Sequence, residues 1–208
     1  MRLPPLPEDQ WDDRTRAALA ALLPPDRRNP RGAGNAMATL ARHPDLTETF
    51  LPFNTRLLLR STLPARLREL AILRVARRCA CAYEWTHHVK IAAKAGLSEA
   101  EIEAAGQGKA AASLASASAS LDGASLASVS LDSASLTSTV LASAELDRAV
   151  LAAVDELGDT CNVSDPTWAT LGEHLDERQL MDLVFTIGAY SMLAMAFNTF
   201  GVEPEQER

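Results

Sequence analysis

Between Glu69 and His88 the chain sets Glu69, Cys79, Cys81, Glu84, His87 and His88 into twenty residues whose apolar positions otherwise follow a helical period. Leu67, Leu70, Ala71, Leu73 and Val75 fill one buried stripe of that period. On a single unbroken helix Glu69 would stand about 28 Å from His88, at 1.5 Å of rise per residue, and no side chain spans that distance. Three readings satisfy the constraint. Glu69 is structural; or the helix breaks near Arg78 to Ala82 and folds back as two packed helices; or Glu69 meets His88 from another subunit. The break is the preferred reading.

Helical signatures run through the rest of the chain. Residues 8–23, 33–42 and 44–60 are candidate helices, and Pro64 stands where a helix can begin. Gly96 is a natural stop for the motif helix. Ser98 to Glu101 has the spacing of a capping box, opening a short helix that ends near Gly106. Residues 145–157 are expected to be helical, with Gly158 ending them. Asp165-Pro166 starts another helix, and Asp176 to Gln179 opens a long apolar one that stops before Gly201 and Pro204. Alternating strand patterns are absent, so the fold class expected is all-α.

Residues 110–144 are almost entirely Ala, Ser and Leu, with Leu at every fifth position from Leu121 to Leu146. Five residues advance an α-helix by about 140° and reverse faces in a strand, so neither buries a leucine stripe. An irregular insertion is the leading expectation; a short pentapeptide solenoid and an Ala-rich helix remain alternatives. The organisation expected is one domain over residues 1–208, interrupted at 110–144, with no catalytic residue in the insertion.

Composition narrows the function. A net charge of −7 argues against a general nucleic-acid binder, which needs a basic surface. With aromatic residues at 5%, the core must rest on Leu, Ala, Val and Met. The proline-broken opening Met1 to Pro7 predicts no secretory leader. Leu180 to Phe200, interrupted by Asp182, Ser191 and Asn198, is expected to be a core helix rather than a membrane span. Three cysteines without a disulfide framework point to a cytoplasmic setting. Arg66, Arg68, Arg74, Arg77 and Arg78 could serve a carboxylate ligand, an interface or a solvated face.

On a helix Cys81, Glu84 and His88 share one face, while Cys79 points away from it. A carboxylate beside an imidazole can hold one tautomer and pass a proton near neutral pH. A thiol beside them becomes nucleophilic only as a thiolate. The bland alternatives are a surface ion pair for Glu84 and His88, an inert buried thiol for Cys81 and a solvent-facing His87. Tyr83 and Trp85 line a pocket or pack in the core. A metal site from Glu84, His87 and His88 is disfavoured, because adjacent histidines point about 100° apart on a helix.

The spacing Glu69, Cys81, Glu84, His88, with the flanks Leu67-Arg68-Glu69-Leu70 and Tyr83-Glu84-Trp85 and the tail elements Gly188-Ala-Tyr190 and Asn198 to Gly201, resembles the carboxymuconolactone decarboxylase and alkylhydroperoxidase D-like superfamily. The resemblance covers roughly residues 35–108 and 145–203. It implies an alkylhydroperoxidase D-like helical bundle, a homotrimer or homohexamer, and a small-molecule substrate; no cofactor, nucleic acid or membrane partner is expected. In the peroxidase branch two cysteines stand at the positions of Cys81 and Glu84 and cycle through a disulfide. Here Glu84 removes the second thiol, and Cys161 is a replacement only if the fold brings it near. In the lactone decarboxylase branch an acid four residues before the histidine is familiar, as Glu84 is to His88. The expected site is therefore Glu84, His88, Cys81 and Glu69 as catalytic groups, with Tyr83 and Trp85 binding substrate. The leading function is a lyase-type enzyme with a Glu/His acid–base pair. The alternatives are a thiol-dependent hydroperoxide reductase (a peroxiredoxin-type activity) through Cys81, and a non-catalytic oligomeric binding protein.

Overall fold

The computed structural model describes residues 1–107 and 131–205, and from 131 to 141 the backbone alone. Among the described residues regular structure is entirely helical. In chain order the α-helices are α1 (Asp13–Ala18), α2 (Pro30–Leu40), α3 (Pro44–Leu59), α4 (Ala65–Arg78), α5 (Ala82–Lys94), α6 (Glu99–Gln107), α7 (Leu131–Thr160), α8 (Asp165–His174) and α9 (Glu177–Phe200).

α4 is the hub. Leu67, Leu70, Ala71, Ile72, Leu73 and Val75 are buried on it, and it packs against α5, α6, α7 and α9. The largest apolar cluster gathers this stripe with Ala92 of α5, Val150 and Val154 of α7, Leu171 of α8, and Leu183, Ile187 and Tyr190 of α9. A second cluster joins Leu6, Trp11 and Leu19 to Ala38 of α2 and Leu51 of α3. A third sets Ala36 and Cys81 against Leu193, Ala194, Phe197 and Val202.

The capping signals hold at both expected boxes. The Ser98 N–H donates to Glu101 Oε2 at 2.7 Å, and Asp176 and Gln179 exchange bonds at the start of α9. α9 is long and apolar enough, by length and composition, to cross a bilayer, yet half of that stretch is buried within the chain. Its Asp182 accepts from the Thr62 N–H at 2.6 Å and from the Ser61 hydroxyl at 3.0 Å, tying α9 to the α3–α4 joint.

Three expectations need correcting. The candidate helix over 8–23 is a 3-10 turn (Glu8–Gln10) followed by the short α1, because Asp12 caps a new start through the Thr15 N–H at 2.8 Å. Gly158 does not end a helix; α7 runs through it to Thr160. The glycine makes room there, since a Cβ would lie 2.2 Å from Arg78 Nε. Residues 131–144 are helix, continuous with the rest of α7, rather than irregular chain. The insertion's other residues, 110–130, lie outside the described residues.

Candidate active site

The site begins at a joint. α4 ends with Cys79 as its cap, and the chain then closes a tight hydrogen-bonded turn. The Ala80 N–H donates to the Arg77 carbonyl at 3.1 Å and the Cys81 N–H to the Ala76 carbonyl at 2.8 Å. Ala80 sits at φ +50°, a left-handed position usually given to glycine, at a cost of roughly 1–2 kcal/mol for an L-residue. Cys81 returns to extended backbone and opens α5, with the Trp85 N–H donating to its carbonyl at 3.1 Å. The break falls inside the interval expected from the sequence, and α5 lies back along α4.

This hairpin brings Glu69 to His88. Glu69, fully buried, receives His88 Nδ1 at 2.7 Å on Oε2 and Arg68 Nε at 3.2 Å on Oε1. With a carboxylate accepting at Nδ1, that nitrogen carries the proton and Nε2 is left as the basic one. The His88 ring meets the Tyr190 ring edge-on, centroids 5.0 Å apart. Glu84, one turn before His88 on α5, is 2% exposed, and among the described residues neither of its carboxyl oxygens has a hydrogen-bond partner. Burial raises its pKa to about 8, against a lowering contribution from the neighbouring Cys81 thiol. The partner of His88 is thus Glu69, and no hydrogen bond joins His88 to Glu84 among the described residues.

Cys81 is buried, 1% exposed. Burial, and then the charge of Glu84, push its thiol up to about 12, against a lowering contribution from the Glu84 N–H. While Glu84 holds its proton the second cause fades, and burial alone still disfavours the thiolate. Cys79 is half-buried and is also raised, first by burial. Cys161 is exposed at the end of α7, and all three thiols are free.

The remaining candidates divide. Tyr83 packs on Phe197 (5.3 Å between centroids) and on His87 (4.3 Å), within the cluster that holds Cys81. Trp85 turns the other way, under the Arg77 guanidinium at 4.3 Å and against the main core, so the structure does not bring it to Tyr83. Three arginines grip α7: Arg66 binds Asp147 through two bonds of 2.6 Å, Arg74 binds Asp155 through two of 2.8 Å, and Arg78 pairs with Asp159. Sequence reasoning assigned no role to Tyr190, although it quoted its surroundings; the residue stands about a hundred positions from His88, beyond any local period. Among the described residues no group of three or more His, Cys, Asp or Glu is placed to hold a metal ion.

Comparison with known proteins bears on the family and the fold. Residues 44–125, which span the hairpin, match the model of the carboxymuconolactone decarboxylase family. No curated protein matches the chain by sequence. Among solved structures, a protein of unknown function from Agrobacterium tumefaciens, described as a candidate antioxidant defence protein AhpD, superposes with a TM-score of 0.58. The match has 20% identity and covers 80% of this chain and 94% of that one, a likeness of fold. The family match over residues 44–125 and the likeness of fold together support the carboxymuconolactone decarboxylase and alkylhydroperoxidase D-like superfamily.

Proposed function

We propose that the chain is a small-molecule enzyme of the carboxymuconolactone decarboxylase type, in which Glu84 and His88 move a proton on a carboxylate-bearing substrate. One observation carries this reading: the carboxyl of Glu84 is buried, has no hydrogen-bond partner among the described residues beyond the neighbouring Cys81 thiol, and is raised to about 8, first by burial. An unpartnered polar group in a folded interior destabilises the fold, and a retained defect of that kind points to use. Neutral at pH 7, Glu84 is a proton donor. His88, held by Glu69 at Nδ1, offers Nε2 as the acceptor. When carbon dioxide leaves a carboxylated lactone, the electron pair left on carbon takes up a proton. A buried acid of this kind supplies it and is recharged from water. Both proton carriers are side chains, so the chemistry calls for no cofactor. A reducing, cytoplasmic setting suits three free thiols.

Turnover of a panel of carboxylated lactones tests the reading. Glu84→Gln and His88→Asn each lower kcat by about 100-fold or more, while Cys81→Ser leaves it within threefold, roughly the scatter of a non-participating neighbour. Full activity in Glu84→Gln would remove the acid from the mechanism. The burial of Cys81 works against a thiolate peroxidase. Hydroperoxide consumption under excess dithiol that vanishes in Cys81→Ser would reverse that ranking. No activity of either kind, with assembly intact, would leave a binding protein.

Self-assembly belongs to the same reading. Met181, Phe185, Met192 and Met195 recur along one outward stripe of α9 and are 48–65% exposed, and Phe185 meets Phe53 of α3 edge-on. An apolar face of this kind suits another copy of the chain, in a homotrimer or homohexamer.

A further inference from the structure

The tail beyond α9 does not leave the surface. From Gly201 it runs back over α2 and α5. Val202 is buried in the cluster of Cys81, Ala36 and Phe197. The Glu203 carbonyl accepts from Asn35 Nδ2 at 2.8 Å. Glu205 then places one carboxylate oxygen on the Asn35 backbone N–H at 2.6 Å and the other on His87 Nε2 at 2.7 Å. Two donors from two different helices hold the two oxygens of a single carboxylate.

The seat is shaped for that group. Gly34, at φ 73° and ψ 171°, interrupts α2 just before the donating N–H. A Cβ on it would lie 2.7 Å from the Glu205 oxygen, so any larger residue would fill the space the carboxylate takes. The Tyr83 ring packs on His87 and fixes the imidazole, and Phe197 backs Tyr83. Burial works against the Glu205 charge, yet the N–H of Asn35 and the paired His87 outweigh it, and its carboxyl stays below the usual range. Behind Tyr83 stand Cys81 and, beside it, the orphan acid Glu84.

We propose that Asn35 N–H and His87 form a carboxylate-binding subsite, that Glu205 fills it as the chain's own competing ligand, and that the strap 202–205 screens Cys81 and Glu84 until a carboxylate-bearing small molecule displaces it. That a substrate uses the seat rests on the proton-transfer reading of Glu84; the competition itself does not. Such competition weakens an external carboxylate by the fraction of time the seat is free.

Succinate is the probe, titrated into the full chain while the Asn35 backbone amide resonance, present in every variant, is followed by NMR. Succinate binds Glu205→Ala about tenfold or more tightly than wild type, Glu205→Gln falls between them, and His87→Ala added to Glu205→Ala abolishes the gain. In a Cys79→Ser, Cys161→Ser background, an uncharged thiol reagent labels Cys81 about tenfold faster once Glu205→Ala is added, as a shift in the open population requires. Equal affinity in wild type and Glu205→Ala, no binding in either, or unchanged labelling would overturn the proposal. Glu205 is partly exposed and its replacement leaves the core untouched, so far-UV circular dichroism checks the fold of each variant. Neither readout involves turnover, so failure here leaves the role of Glu84 standing.

Discussion

Glu84 makes the stability of the chain depend on pH, because its carboxyl titrates near 8 in the fold and near 4.5 when released. Below pH 4.5 both states hold the proton and the residue contributes nothing. Between 4.5 and 8 the folded chain keeps a proton that the unfolded chain has lost, so stability falls as pH rises and levels off above 8. Glu84→Gln removes that slope. The variant matches wild type in acid and exceeds it by on the order of a few kcal/mol at the alkaline end, measured by urea unfolding across a pH series. An unchanged slope would mean that the carboxyl finds partners the fold does not display. The face shared by Cys81, Glu84 and His88 was legible because helical spacing of three, four and seven is local. The contacts of His88 with Tyr190 and of His87 with Glu205 were not, since they join distant segments through packing alone.

The elements lock through charge as well as apolar surface. Arg66, Arg74 and Arg78 rise along α4 and meet Asp147, Asp155 and Asp159 on α7. Asp147 is nearly buried, so Arg66→Met strands its carboxylate and costs about 3 kcal/mol. Asp147→Leu added to it recovers part of that loss, as a double-mutant cycle of thermal unfolding would record. These arginines were read as serving a ligand, an interface or a solvated face; their acids lie some eighty residues on, and sequence spacing cannot pair them. The hairpin break was legible from one distance argument about Glu69 and His88. The start of α7 inside the leucine repeat was not, because a five-residue period traces no helical stripe. That helix is held by Val150, Leu151 and Val154 further along.

At the scale of the whole molecule, the all-α architecture followed from capping boxes, the glycine stops at Gly96 and Gly201 and the absence of alternation; Gly158, also expected to stop a helix, does not. What covers the outer stripe of α9 is the open question of assembly. Light scattering is expected to give the mass of three or six chains for the wild type and of one for Phe185→Glu combined with Met195→Glu. A monomeric wild type would end the oligomer proposal. The organisation as one domain interrupted at 110–144 is likewise proposed, and limited proteolysis that cuts within that insertion while the remainder stays folded would support it.

The hairpin also has a kinetic meaning. Glu69 and His88 are 19 positions apart, and a loop of that length closes at small entropic expense. Tyr190, about a hundred positions further on, reaches them only when the final helix docks. The hydrogen-bonded heart of the site therefore belongs to the early, local part of folding, and its aromatic wall arrives with the last cooperative step.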